Sequence, residues 1–159
     1  MNPKDDYITE EKRHALEIEL ADLEGPKRQE VLSALAYAKS LGDLSENAEY
    51  HQTREDQGKL EGRITKIKEI LQSSKTVSKT GSDTVEIGSI VVVKKDVKEQ
   101  ESNETKTYVI VGSEEADMSL GKISNHSPFG MALFGKKKGE NISFQTPKGV
   151  VKYNIISVA

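Results

Sequence analysis

Two carboxylates three residues apart, Asp43 and Glu46, lie in the segment Leu41-Gly42-Asp43-Leu44-Ser45-Glu46-Asn47. Such a pair can do two kinds of chemistry. One is structural: Asp43 followed by Glu46 has the spacing of a capping box, with Asp in place of Ser or Thr, and Ser45 is an alternative N-cap. A carboxylate near a helix N-terminus is also favoured by the backbone dipole. The other is ligand donation. Mg2+ takes oxygen ligands and keeps several waters, so one or two carboxylates can decide whether it binds. Two carboxylates do not make a complete site, but they can complete one whose other ligands belong to a partner. In a two-metal phosphoryl-transfer site, a second ion and a positioned water allow hydrolysis. Judged locally, capping has the better claim; the two roles can coexist on different oxygens.

The elements around the pair are legible from residue type and spacing. Glu, Lys, Leu, Ala and Gln dominate before residue 75 and favour helix; Val, Ile, Thr, Ser and Gly dominate after it and favour strand. Leu16, Leu20 and Leu23 recur at helical spacing, as do Leu60, Ile64, Ile67 and Leu71 beyond the acidic turn. Val31, Leu32, Leu35 and Ala36 continue the stripe on the ascending arm. Small residues such as Ala34, Ala36, Ala38 and Ala48, with Tyr37 and Tyr50 packing beside them, allow close approach near the tip. Two apolar stripes joined by a short turn fold back on each other as a coiled coil, because neither buries its stripe alone. Gly25-Pro26 predicts a break in the ascending arm, giving helices over about 9–24 and 26–40. The descending helix is predicted over about 45–71, on the order of 40 Å long at 1.5 Å per residue. A hairpin with more surface than core suggests reach into something else.

The fold class is therefore α+β. Residues 1–75 are expected as the hairpin, 76–84 as a linker, and 85–159 as a small antiparallel sheet with one short helix. Strands are predicted over 89–94, 105–111, 141–146 and 150–158, the last two joined by the turn Pro147-Lys148-Gly149. Ser127-Pro128 has the form of an N-cap followed by proline at the first helical position, opening a helix over about 128–134 that ends at Gly135. Met131, Leu133 and Phe134 are expected on its buried side.

Composition excludes several classes. There is no Cys, hence no disulfide framework and no Cys-ligated zinc. The first ten residues are polar and acidic, unlike a signal peptide, and no run approaches the roughly 20 apolar residues that cross a bilayer. A cytoplasmic protein with no membrane partner is expected. A net charge of -3 argues against free-standing duplex DNA binding, though contact with DNA or RNA inside a larger assembly remains open. Aromatic residues are only 5% of the chain, which argues against a base-stacking platform or an aromatic-lined proline pocket. His14, His51 and His126 have no metal-ligand spacing.

The stretch GDLSENAEYHQTREDQGKLEGRI, Gly42 to Ile64, closely resembles the signature of the GreA-type transcript cleavage factors of bacterial RNA polymerase. Family members read GDL-x-ENAEYH, then R-E-x-Q-G, then EGRI. NHSPFGMALFGKKKGENISFQTPKGVVKYNI, Asn125 to Ile155, is similar to the family's second pattern, SP…G…L.GK…TP.G…I. The resemblance spans nearly the whole chain in order and spacing.

The resemblance implies a coiled coil that enters the polymerase's secondary channel. There Asp43 and Glu46 would help hold a Mg2+ shared with the polymerase and orient the attacking water. The polymerase's own site would cut the 3′ segment of backtracked RNA, so the chain alone is neither an enzyme nor a metal binder. Leu44 and Ser45 would shape the turn, and Asn47 and Tyr50 would support it. Arg54 matches the family's basic position facing the emerging RNA, and Lys39 is the other basic residue near the tip. The second half resembles an FKBP-like module that docks outside the channel, with Ser127, Pro128 and Phe129 in its motif. The implied partners are RNA polymerase and the nascent RNA 3′ end, met by a monomer. Rival readings are a channel binder that inhibits without promoting cleavage, a peptidyl-prolyl isomerase, and a coiled-coil adaptor or chaperone. Retention of both tip acids argues against the first. The mostly polar tip argues against the last.

Overall fold

The computed structural model describes residues 1–78, 81–96 and 104–159. Part of the expected linker (residues 79–80) and part of the charged stretch after the first predicted strand (residues 97–103) lie outside the described residues. The chain divides into two compact units, residues 13–73 and residues 1–12 with 74–159.

The helical unit contains most of α1 (Glu10–Asp22), a π-helical turn (Leu23–Lys27), α2 (Arg28–Ser40) and α3 (Ala48–Ser73). Gly25-Pro26 does not break the ascending arm as expected. Asp22 and Arg28 flank the wide turn in right-handed helical geometry, so the helix runs on through it. The π turn absorbs the amide hydrogen that Pro26 lacks, the usual way a helix tolerates an interruption of its ladder.

Leu16, Leu35, Ala38, Leu60, Ile64, Ile67 and Ile70 are buried in this unit. On α2 the buried face differs from the expected stripe. At 3.6 residues per turn, Val31, Leu35 and Ala38 share a narrow sector, whereas Leu32 and Ala36 are turned about 100° or more from Val31. Leu32 and Ala36 are exposed, and Tyr37, expected to pack, is 60% exposed. On α3, Ile70 rather than Leu71 completes the stripe. Ion pairs across the arms set the register. Arg28 grips Glu61 with two hydrogen bonds of 3.0 and 2.8 Å, Arg63 grips Glu19 at 2.6 and 2.8 Å, and Lys68 pairs with Glu24. Such exposed pairs add little stability singly but disfavour slipped registers.

The sheet unit has five strands in the order β5-β4-β3-β7-β6: β3 (Ile90–Lys95), β4 (Thr105–Val111), β5 (Lys122–Ser124), β6 (Asn141–Thr146) and β7 (Gly149–Val158). The expectation of an all-antiparallel sheet is corrected: β5 lies parallel to β4. The intervening residues form two 3-10 turns (Ser113–Glu115 and Met118–Leu120) that carry the chain back to the same end. A second, two-stranded parallel pair joins β1 (Tyr7–Thr9) to β2 (Lys75–Val77). Residues 1–12 therefore belong to the sheet unit rather than the hairpin, and the hairpin is the crossover that a parallel pair requires.

One face of the sheet is covered by α4 (Pro128–Leu133), with Val85, Ile87, Val91, Val93, Ile110 and Ile155 among the core residues. Ser127 caps α4 as its sequence predicts, its Oγ accepting from the Gly130 amide at 3.0 Å. Phe129 and Leu133 are buried, but Met131, expected inside, is 52% exposed because it lies on the opposite side of this short helix.

Candidate functional site at the hairpin tip

Seven residues, 41–47, connect α2 to α3. Leu41 ends α2, its amide donating to the Ala38 carbonyl at 3.3 Å. Gly42 then turns the chain with φ 109°, a region that side chains rarely adopt. Asp43 follows immediately. Its Oδ1 accepts from the Ser45 amide at 3.1 Å and from the Ser45 hydroxyl at 2.8 Å. This is an Asx turn, and it leaves Oδ2 without a hydrogen bond among the described residues. The Ser45 hydroxyl, then its amide, hold the Asp43 carboxyl below its ordinary pKa by stabilising the anion.

The cap of α3 is Asn47, not Asp43 or Ser45. The Asn47 Oδ1 accepts from the Tyr50 amide at 3.0 Å. Its Nδ2 donates to the Ala38 carbonyl on α2 at 2.7 Å. The expected capping box does not form, because the helix starts later, at Ala48, and leaves Glu46 outside it. Glu46 is exposed and makes no hydrogen bond or ion pair among the described residues. Neither carboxylate is therefore occupied by capping: Asp43 is oriented and half-free, and Glu46 is entirely free.

Leu44 is exposed at the apex, and Ser45 holds Asp43 as described. Tyr50 is half-buried and meets His51 edge to face, at a centroid distance of 5.6 Å. A ring nitrogen of His51 lies 3.4 Å from the Ser45 carbonyl, a marginal contact. Arg54 is exposed and donates to Gln57 at 2.9 Å; Lys39 is exposed in the last turn of α2. Several other cations on the arms are taken up by carboxylates, including Lys27, Arg28, Lys59 and Lys68.

No group of three or more His, Asp or Glu that could hold a metal ion comes together among the described residues. The tip thus offers a cation two carboxylates, all oxygen, on an exposed turn. That donor set suits Mg2+ as a minority of its ligands, with water and a partner supplying the rest.

In the sheet unit, Ser127, Pro128 and Phe129 line a depression of about 330 Å³. Phe129 stacks on Phe144 at 4.6 Å and on Tyr153 at 5.1 Å, and meets Tyr108 edge to face at 5.1 Å. The low aromatic content had argued against an aromatic-lined pocket; four of the eight Phe and Tyr residues are nevertheless gathered at this one place. Met118, 66% exposed, sits on its rim. Among the described residues, no helix is long and apolar enough to cross a membrane.

Comparison with known proteins agrees with this architecture. Residues 6–75 match the family model "Transcription elongation factor, N-terminal", and residues 79–159 match "Transcription elongation factor, GreA/GreB, C-term". The chain is 41% identical over 160 residues to transcription elongation factor GreA of Roseiflexus sp. (strain RS-1), covering 99% of both chains. It is 40% identical over 153 residues to the protein of that name from Bacillus anthracis (strain CDC 684 / NRRL 3495), covering 95% of this chain and 94% of that one. Among solved structures, it is similar to GreA factor homolog 1 (Gfh1) of Thermus thermophilus, at 22% identity and a TM-score of 0.44 over 98% of this chain and 99% of that one. It is also similar to a GreA/GreB factor from Nitrosomonas europaea, at 23% identity and a TM-score of 0.41 over 97% and 98%. The assignment rests on the sequence matches, not on these two structural scores. With both halves of the chain matched in order and the relatives matched end to end, the chain belongs to the GreA/GreB family of transcription elongation factors.

Proposed function

We propose that this chain rescues stalled transcription by inserting its hairpin, as a coiled coil, into the secondary channel of bacterial RNA polymerase. There it stimulates the polymerase to cleave the 3′ end of backtracked RNA. The observation that carries the reading is the state of the two tip acids. Asp43 is oriented by two hydrogen bonds from Ser45 that favour its anion, Glu46 has no partner among the described residues, and neither is spent on capping. Inside the polymerase, Asp43 and Glu46 would share a Mg2+, which would supply Lewis-acid activation of water at the scissile phosphate. The chain's own part is to carry two anionic oxygen donors on one short turn, neither of them in an ion pair among the described residues. Lys39 and Arg54 are the basic groups placed to meet RNA phosphates. The chain is no nuclease by itself, because two carboxylates leave most of an octahedral coordination sphere unfilled.

The sheet unit, read as FKBP-like, would dock on the polymerase outside the channel through the Ser127–Phe129 loop. The apolar depression beneath that loop supports this assignment. The factor would work as a monomer in the cytoplasm, where its polymerase is. The inhibitory alternative has less support, because both acids are present and available.

The test is an elongation complex stalled on labelled RNA. The wild-type chain should shorten the RNA from its 3′ end in a Mg2+-dependent manner, and the chain with RNA alone should leave it intact. Asp43→Asn keeps the Oδ1 acceptor for Ser45 but lacks the charge, so it should bind polymerase and lose about a hundredfold or more of the stimulation. Full stimulation by Asp43→Asn would falsify the metal-sharing role.

A further inference from the structure

Asn47 makes two hydrogen bonds that together close the base of the tip loop. One is the ordinary cap, Oδ1 accepting from the Tyr50 amide at 3.0 Å. The other crosses between the arms, Nδ2 donating to the Ala38 carbonyl at 2.7 Å. That carbonyl lies in the last turn of α2, where helix carbonyls lack an intrahelical partner. The orientation of the amide is dictated by its partners: flipping it would set oxygen against the Ala38 carbonyl and NH2 against the Tyr50 N–H. The side chain is half-buried, so both bonds are partly shielded from competing water.

From this arrangement we infer that Asn47 is a positioning residue, which ties the end of α2 to the start of α3 so that Asp43 and Glu46 are presented together. The inference rests on the proposed cleavage role of those acids and adds the device that aims them. Glu46 is joined directly to Asn47 through the peptide bond, so the clip fixes the backbone from which that carboxylate departs. On the other side, the Ala38 carbonyl also accepts from Leu41, one residue before the Gly42 turn that aims Asp43. A single acceptor thus anchors both ends of the loop. Without the clip the cap would survive but the loop base could open, and the two carboxylates would sample wider separations. Catalysis that depends on placing a group within about 1 Å is sensitive to such loosening, by up to roughly a hundredfold.

Asn47→Ser separates the two bonds. Serine caps about as well as asparagine, adds no charge, and is too short to reach α2. In the stalled-complex assay, maximal stimulation at saturating factor should fall about tenfold or more, while the factor concentration giving half the effect stays unchanged. Amide hydrogen exchange on the full chain should show residues 41–46 exchanging faster in Asn47→Ser and residues 60–70 unchanged. Wild-type maximal stimulation by Asn47→Ser overturns the inference, as does a loss confined to half-saturation. If the wild-type chain itself never promotes shortening, the cleavage reading has failed, and the exchange measurement then decides the clip alone. Equal exchange of 41–46 in both proteins rules it out.

Discussion

Asp43 and Glu46 differ in what surrounds them, and that difference has a measurable consequence. Asp43 accepts two hydrogen bonds from Ser45 on one oxygen, the hydroxyl contributing more to lowering its pKa than the amide. A carboxyl whose folded pKa is depressed binds its proton less readily folded than unfolded. Its contribution to the turn is present above the ordinary Asp value and is lost as pH falls through the depressed one. A carboxyl-carbon NMR titration of the free chain should place the Asp43 midpoint below that of an ordinary Asp. Ser45→Ala removes the larger cause and should move the midpoint back up, leaving the Asn47 cap in place. An Asp43 midpoint indifferent to Ser45→Ala would mean that the bond from the Ser45 hydroxyl does not exist in solution. The same hydrogen bonds favour the anion of Asp43, the form able to donate to a cation. The motif marked both acids from sequence, but it could not say which was tethered, because Asp, Ser and Asn are all competent caps and only the helix start at Ala48 decides among them.

At the scale of the helices, the stability of the hairpin lies in a narrow apolar seam rather than in its exposed ion pairs. Ile67 is fully buried on α3, between Ile64 and Ile70. Ile67→Ala should destabilise the helical unit by about 2–5 kcal/mol through lost burial and the cavity left behind. Arg63→Ala, which breaks an exposed pair with Glu19, should cost no more than about 1 kcal/mol. Urea unfolding followed by circular dichroism at a helix wavelength measures both; a larger loss for Arg63→Ala would reverse the ranking. The seam on α3 was legible because Leu60, Ile64 and Ile67 repeat at helical spacing over a long run. The face of α2 was less so: alanine packs or stays exposed without changing the pattern, and Leu32 carries the same apolar signal as Leu35. Proline reads as a helix breaker, and a π turn has no composition of its own to announce that the helix continues.

For the molecule as a whole, the informative segment is the N-terminal one, which sequence patterning assigned to the hairpin. Residues 7–9, 75–77 and 122–124 form strands too short for period-two alternation to register; all three are paired in parallel, and the first two pair with each other across the whole hairpin. Their pairing is secured by contacts that no local pattern encodes. The fully buried Asn125 donates through Nδ2 to the carbonyls of Pro3 and Asp5 at 3.0 and 3.1 Å. Glu115 accepts from both the amide and the hydroxyl of Thr9, at 3.0 and 2.8 Å, and Lys75 pairs with Asp5. Tyr7 is buried in the core of the sheet unit. The tightest of these approaches is at Gly112, where a Cβ would lie 1.6 Å from the Tyr7 carbonyl oxygen. No side-chain rotation relieves a clash between a Cβ and backbone, so Gly112→Ala must displace β1 or shift the turn after β4. We expect a loss of at least about 2 kcal/mol in the sheet unit, toward the upper range for single substitutions. Native-state hydrogen exchange on the full chain should show residues 7–9 and 75–77 losing protection together, because each supplies the other's ladder. The amides of Ile64 to Ile70 should keep theirs, because their burial lies within the helical unit. Undiminished protection of residues 7–9 in Gly112→Ala would show that the N-terminal strand is not held against Gly112, and the assignment of residues 1–12 to the sheet unit would fall with it.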